Sequence, residues 1–177
     1  QRQFLAQHEQ IEVEVPQDFD ISPKSYLLSV PADYKEFLAE QQRSPSNLWI
    51  CKPLNENNAK GIRILQSTTN VPNRKGVLNS YIISDYIDNP HLINGYKYDF
   101  RIFVLVTSFN PLKVYIYNEA FIRICSEKYS NDRETLNNKC THITNNSINW
   151  KNRHTNEINW DLSQYREECT KQGISFE

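Results

Sequence analysis

The sequence predicts an α+β protein from three observations: short apolar runs typical of strands, apolar spacing typical of helices, and enough apolar residues to form a core. Short apolar runs separated by polar turns fill the centre of the chain, and helical patterns lie near its two ends. The chain has 177 residues, 38% of them hydrophobic and 12% aromatic, which is enough to bury one core or two small lobes. Its formal charge is only -1, and no apolar run approaches the roughly 20 residues that span a bilayer. We therefore expect a cytoplasmic protein whose partners include neither nucleic acid nor membrane.

The first half of the chain predicts one helix and two strands. Residues 10–31 are punctuated by proline and alternate only in part, which favours loop with short extended pieces. Ala32–Gln41 carries apolar side chains at helical spacing and predicts a short amphipathic helix. The polar turn QRSPSN then leads to the strand LWICKP, and the loop LNENNA leads to the strand GIRIL.

The second half predicts further strands and a capped helix. A polar loop over residues 66–80 precedes the strand YIISDYI, and residues 88–127 read as a loop and then three strands, with turns at FNP and NE. Residues 128–159 form a long polar loop, a class that is usually functional or disordered. Asp161 can cap a final helix, with Gln164 completing a capping box and Gly173 just past the end.

The cysteines indicate the redox compartment of the protein, and the N-terminus bears on whether the chain is a whole protein. Four cysteines are widely scattered without a CxxC pair, as expected of reduced cysteines in the cytosol. The chain contains no methionine, even at position 1, and we expect it to be a piece of a longer protein.

The stretch NGYKYDFRIFVLVTS places three charges at alternate positions of a predicted strand. Successive side chains of a strand point to opposite faces, so Lys97, Asp99 and Arg101 would share one face. Beyond Arg101 both faces are apolar, which is typical of a central strand covered on both sides. The spacing alone leaves two interpretations open, an ion-pair cluster that closes the end of a sheet and a functional site.

Three other features could carry chemistry. Lys52 ends a strand before a polar loop, an arrangement that can grip polyphosphate, although an exposed strand-end lysine is the commoner case. Arg123 alternates with apolar residues near a strand end and could clamp a carboxylate or phosphate, or lie on the surface. The loop HITNNSIN is dense in hydrogen-bonding groups, for which turn formation is the ordinary explanation.

Taken in order, the segments WICKP, KGIRIL, YIISDYIDNPHLINGYKYDFRIFVLVTS, YNEAFIRICSE and HITNNSIN resemble the tubulin–tyrosine ligase-like family, whose catalytic core is an ATP-grasp fold. The resemblance runs from about Pro23 to Glu177 and is closest to the polyglutamylase branch. It implies ATP-grasp-type mixed and antiparallel sheets flanked by helices. Residues 1–45 would be an extended and helical lead-in, and residues 46–177 part of the ligase domain.

The resemblance also implies site residues. Those matching nucleotide contacts of the family are Lys52, the phosphate-loop residues Asn58 and Ala59, the hinge residues Ser84, Asp85, Tyr86 and Ile87, the pair Lys97 and Asp99, and Thr144 with Asn145. Arg101 matches an arginine near the transferred phosphate, Arg123 the arginine that receives the carboxylate of the incoming amino acid, and Ser147 a further contact to that amino acid.

The implied reaction is the ATP-dependent ligation of glutamate to the acidic tail of tubulin, through an acyl phosphate on a tail carboxylate. The family's Mg²⁺ ligands lie beyond the Trp-led helix, so we expect them after residue 177 and expect this chain alone to be inactive. Glu157-Ile158-Asn159 has the residue types of one such motif but stands in the wrong place. The implied setting is the cytoskeleton, in particular the cilium, axoneme or basal body.

Departures from the family pattern leave two alternative functions open. Asn57-Asn58-Ala59-Lys60-Gly61 stands where members usually have Ser-Arg-Gly-Arg-Gly, which suits a ligase-like protein that has lost catalysis and serves as a structural part of microtubules or cilia. The string Asn145-Asn146-Ser147 is similar to the glycylases, which would transfer glycine instead of glutamate.

Overall fold

Two antiparallel four-stranded sheets form the framework of the protein. The computed structural model describes residues 21–66, 71 and 81–175. The strands are β1 (Ser25–Leu27), β2 (Trp49–Pro53), β3 (Arg63–Leu65), β4 (Tyr81–Asp85), β5 (Leu92–Ile93), β6 (Tyr96–Phe109), β7 (Leu112–Ile124) and β8 (Asn159–Trp160). The helices are α1 (Pro31–Arg43), α2 (Lys139–His142), α3 (Asn146–Asn149), α4 (Thr155–Ile158) and α5 (Leu162–Lys171). The order is β1-β4-β2-β3 in the first sheet and β5-β6-β7-β8 in the second. This arrangement confirms the predicted α+β class.

The first core lies between α1 and the first sheet. Phe37 of α1 and Trp49 of β2 are fully buried, with ring centroids 5.0 Å apart in an edge-to-face arrangement. Pro31 begins the helix, where its missing N–H costs nothing. Asp33 accepts a hydrogen bond from the backbone N–H of Leu27 at 3.0 Å, which ties α1 to β1. The predicted helix is confirmed and is one residue longer at its start and two at its end.

The second core lies between α5 and the base of β6 and β7. Tyr165 of α5 packs against Tyr98 and Phe100 of β6, with centroids 5.6 and 4.9 Å away. The predicted capping box of α5 is present, since Asp161 accepts from the Gln164 N–H and the Gln164 side chain accepts from the Asp161 N–H. The face of β6 that carries Tyr98 and Phe100 is therefore covered, and the charged face points away from α5.

The prediction of a turn at Asn118-Glu119 is wrong. β7 runs through both residues and pairs with β6 from Tyr98 opposite Ile124 to Phe109 opposite Leu112. The register shifts between Ile102 and Val104, so that residues 117–119 together oppose Phe103. Extra residues in one strand can be absorbed as a bulge without reversing the chain. The predicted turn at FNP does connect the two strands.

The prediction that β6 is covered on both sides beyond Arg101 is also wrong for the part of the protein described. We call residues 102–117 of β6 and β7 the hairpin arm. Apart from Phe109, its large apolar side chains are 39 to 70% exposed, on both faces; they are Ile102, Phe103, Val104, Leu105, Val106, Leu112, Val114, Tyr115, Ile116 and Tyr117. At the tip of the arm Phe109 is 85% exposed. The apolar pattern was read correctly, but no described element packs there.

Residues 128–159 are less irregular than predicted. They contain a short 3₁₀ turn at Arg133–Thr135 and the helices α2, α3 and α4. Asn138 and Asn145 cap α2 and α3, because their side chains accept hydrogen bonds from the N–H groups of Cys140 and Ser147. All four cysteines are free, as predicted. Most of the predicted loop over residues 66–80, and the calls before residue 21, lie outside the described residues.

Candidate functional site

The charged face of β6 meets an arginine from the neighbouring strand. Asp99 stands opposite Arg123 in the β6–β7 register. The Arg123 Nε donates to Asp99 Oδ1 at 2.9 Å, and Nη2 donates to the other carboxylate oxygen, so the pair is bidentate. This hydrogen bonding raises the pKa of Arg123 further. The structure thus joins two predicted site residues that the resemblance assigned to different ligands.

Lys97 is the most desolvated charge of this face. Its Nζ donates a hydrogen bond to the Tyr86 hydroxyl at 2.9 Å and lies 4.2 Å from the centroid of the Tyr86 ring and 5.7 Å from that of Tyr129. Burial above all, with a smaller contribution from the charge of Lys52, lowers the pKa of Lys97 to about 8, against the opposing effects of Cys125 and Asp99. A buried ammonium that lies within the electrostatic reach of a second ammonium is prepared to bind an anion.

Next to Lys97 and Tyr86 lies His142, which the sequence analysis did not include among the site residues. Tyr86 is 8% exposed and His142 3% exposed, and the Tyr86 hydroxyl is 2.9 Å from His142 Nδ1. His142 Nε2 is 3.0 Å from the Thr135 carbonyl oxygen. Burial, and then the charge of Lys97, lower the pKa of His142. The only sequence signal for His142 was its position at the start of HITNNSIN.

The predicted hinge residues diverge in their surroundings. Ser84 is buried, with its hydroxyl 2.7 Å from that of Ser25. Burial raises the pKa of Asp85, whose backbone N–H donates to the Lys24 carbonyl at 3.0 Å. Ile87, by contrast, is 57% exposed. The backbone of this segment therefore belongs to the first sheet, while Ile87 presents an apolar side chain to the outside.

The loop after β2 is linked to the start of α3. Asn58 and Ala59 have φ angles of 53° and 58°, which place both in the left-handed region. The Ser147 hydroxyl can donate to the Asn58 carbonyl at 2.8 Å or to the Asn145 side-chain oxygen at 2.7 Å. The segments that hold five predicted site residues, namely Asn58, Ala59, Thr144, Asn145 and Ser147, are thereby brought together.

Two predicted cations lie at more open positions. Lys52 is exposed at the end of β2, where it pairs in register with Ile82 of β4. Arg101 is exposed on β6, opposite Phe121. A small open pocket adjoins His142 and is lined by Ile62, Ile64, Leu136, Ile143 and the cationic Arg63 and Lys139. Apolar walls with a few cationic groups are common in ligand pockets.

The described residues lack both a metal-ligating cluster and a membrane-spanning helix. They contain no group of three His, Cys, Asp or Glu side chains that could hold a metal ion. Glu157 accepts a hydrogen bond from Arg153 Nε at 2.8 Å. None of the helices described is both long and apolar enough to cross a membrane.

Comparison of the sequence with known proteins identifies a family. The model of the "Tubulin-tyrosine ligase family" matches residues 2–173. The chain is 39% identical over 140 residues to the probable alpha-tubulin polyglutamylase Ttll1 of Tetrahymena thermophila, covering 73% of the chain and 33% of that protein. It is 36% identical over 135 residues to the mouse tubulin monoglutamylase TTLL4, covering 76% and 11%.

A nematode relative gives the same result. The chain is 34% identical over 140 residues to the probable tubulin polyglutamylase ttll-9 of Caenorhabditis elegans, covering 75% of the chain and 33% of the relative. The chain therefore spans one third or less of the length of these curated relatives. The family match, in contrast, extends over nearly the whole chain. The chain belongs to the tubulin-tyrosine ligase family.

Proposed function

We propose that this chain is the nucleotide-binding part of an ATP-grasp ligase that adds glutamate to the acidic tails of tubulin. Family membership and the names of its relatives support the reaction class. The observation that carries the assignment within the chain is the Lys97 ammonium. It is desolvated, feels the positive charge of Lys52, and donates to a neutral phenol instead of a carboxylate.

The residues present fit a triphosphate. Two ammonium groups repel each other, and an anion that binds to both offsets this repulsion. A phosphate has several acceptor oxygens with which to bind both. Lys97 and Lys52 supply this pair, and Arg101 follows on the same face of β6. The described residues contain no group of side chains that could hold Mg²⁺ by itself.

We propose for each predicted residue the role that the family resemblance implies. The phosphates are held by Lys52 and Lys97, with Arg101 nearer the transferred group. The remaining nucleotide contacts proposed are Asn58 and Ala59 in the loop, Ser84, Asp85, Tyr86 and Ile87 along the hinge, Asp99, Thr144 and Asn145. Arg123 binds the carboxylate of the incoming glutamate, and Ser147 contacts the same substrate.

The chemistry divides into activation and transfer. When bound, ATP supplies the phosphoryl group that activates a carboxylate of the tubulin tail. The cationic residues of this chain stabilise the charge that develops on the phosphates, and the site holds the two reactants in line. Asp99 uses two N–H groups of Arg123, and a guanidinium has five. Three N–H groups of Arg123 are left for a substrate carboxylate, so the ion pair orients the arginine without consuming it.

The proposal is tested on the full-length protein with ATP, purified tubulin and radiolabelled amino acids. We expect ATP binding by calorimetry and ATP-dependent incorporation of glutamate into tubulin. Incorporation of glycine instead would make the protein a glycylase. Absence of ATP binding by a folded protein would favour a structural role at microtubules. Localisation of a tagged protein would then test our expectation of the cytoskeleton, and of cilia or basal bodies in particular.

A further inference from the structure

We infer that His142 is a positioning residue, which acts through the Tyr86 hydroxyl to aim the Lys97 ammonium at its anion. The inference rests on the proposed function and extends it to a residue that no comparison assigns. It is carried by a continuous line of hydrogen bonds from the half-buried Lys97, through the buried Tyr86 and His142, to the half-buried Thr135. The line joins β6 to the hinge after β4 and to α2.

The direction of each hydrogen bond follows from the chemistry of its donor. An ammonium has no acceptor, so Lys97 must donate to the Tyr86 oxygen across their 2.9 Å contact. The phenol then has its own proton to place. The Tyr129 hydroxyl also adjoins the Tyr86 hydroxyl, but His142 Nδ1 at 2.9 Å accepts the hydrogen bond, because an imidazole nitrogen is a much stronger base than a phenol oxygen. The proton of the neutral imidazole therefore lies on Nε2, which donates to the Thr135 carbonyl at 3.0 Å. One tautomer satisfies all three bonds.

The alternative charge state of His142 is disfavoured by its surroundings. A protonated imidazole would be buried and would add a second positive charge near Lys97, and both effects lower the pKa of His142. The ring packs edge-on against Tyr86 and Tyr129, with centroids 5.9 and 5.5 Å away. The charged or titratable groups around Lys97 are Asp99 on its own strand, Cys125 after β7, Lys52 on β2, and the two tyrosines.

The consequence is a lysine with one preferred direction. A lysine side chain has about 2 kcal/mol of rotamer entropy to lose when it is fixed. The Tyr86 oxygen can fix it well only while its proton is drawn toward His142, because its lone pairs then face the ammonium. The other two N–H groups of Lys97 are left for a phosphate.

Two isosteric substitutions separate this role from a purely structural one. Asparagine places its side-chain oxygen near the Nδ1 position and keeps the acceptor for Tyr86. Glutamine places its amide nitrogen near the Nε2 position and keeps the donor for Thr135. If His142 only holds its loop to Thr135, His142→Gln is the milder change. If it aims Lys97, His142→Asn is the milder change.

The experiment uses the full-length protein and measures KM for ATP and for glutamate together with ATP binding by calorimetry. We expect His142→Gln to weaken ATP binding and raise KM for ATP about tenfold, the loss of one hydrogen bond in a charged network, with KM for glutamate little changed. His142→Asn should recover most of the affinity. Tyr86→Phe should match His142→Gln, and the double variant should be no worse than either single variant.

A matched control lies on the other face of β6. The His91 Nδ1 is 2.9 Å from the Tyr98 hydroxyl, so His91→Gln removes the same type of contact at an exposed site away from Lys97. We expect it to leave KM for ATP unchanged. Equal ATP binding by wild type, His142→Gln and Tyr86→Phe would overturn the inference alone. Absence of ATP binding by the wild type would overturn the proposed function and the inference with it. If both His142 variants fail to fold, Tyr86→Phe decides, because it breaks the same line at its centre.

Discussion

Substituting Gly61 by alanine tests how the loop after β2 is held. Gly61 has a φ of +73°, and a Cβ built there would lie 2.7 Å from Pro53 Cγ. That atom belongs to a proline ring at the end of β2, so it has little freedom to move aside. The substitution therefore combines a backbone penalty with a steric clash.

The magnitude can be assembled from these two effects. A left-handed conformation costs a residue with a Cβ roughly 1–2 kcal/mol, and inserting a methyl into occupied space typically costs about 1–3 kcal/mol. The smaller conformational entropy of the unfolded alanine chain offsets about 0.4–1 kcal/mol of this. We expect a net loss of about 1–5 kcal/mol in the free energy of unfolding.

Gly173→Ala is the matched control. Gly173 has a φ of +72° but nothing within 4 Å of a built Cβ, so the substitution carries the backbone penalty alone. We expect a net loss of about 0.5–1.5 kcal/mol there. Urea unfolding of both variants, followed by tryptophan fluorescence, measures the difference; Trp49 on β2 is fully buried and reports on the first sheet. Equal losses in the two variants would refute the argument that Pro53 confines the loop.

The remaining predictions concern ligands. Arg123→Lys should raise KM for glutamate about tenfold or more and KM for ATP much less, because a bidentate clamp is lost while charge is kept; equal losses would place Arg123 with Asp99 on the nucleotide side. ATP affinity should weaken about tenfold between pH 7 and pH 9, because the pKa of Lys97 is lowered to about 8 and its ammonium is lost above that value, whereas an ordinary lysine stays charged; a flat profile would argue against Lys97 as a phosphate ligand. Ser147→Ala should raise KM for glutamate, because the proposed contact to that substrate is lost, and should raise KM for ATP about fivefold by releasing the Asn58 carbonyl, without lowering the melting temperature; an unchanged KM for ATP would show that the link to Asn58 is incidental.

Features that depend on neighbours in sequence were predicted well. The alternation of Lys97 and Asp99 against Tyr98 and Phe100 follows from the period of a strand, and the structure separates the two sets as expected. The capping box of α5 is equally local. Both follow from backbone geometry over a few residues, which the sequence specifies directly.

Features that depend on distant residues were missed. The pairing of Asp99 with Arg123 required the register of β6 and β7, which a bulge near Ile102 makes irregular. The contact between Tyr86 and His142 joins residues 56 positions apart. The apolar pattern beyond Arg101 was interpreted as burial. Apolar residues in a strand favour burial, but the sequence of the strand does not show whether another element packs against it.

The hairpin arm has a consequence for handling the protein. Within the described residues, β5 pairs with β6 and β8 pairs with β7 only at the base of the two long strands. The outer edges of the arm therefore have backbone N–H and C=O groups without a strand partner. Residues 102–108 read IFVLVTS, without charge, proline or glycine, which is the composition of segments that add strands to one another. Lys113 and Glu119 are the nearest charges along β7. While this ribbon is uncovered, it can pair with another copy of itself, so we expect turbidity that rises with protein concentration and falls when a charged residue is introduced at Val104.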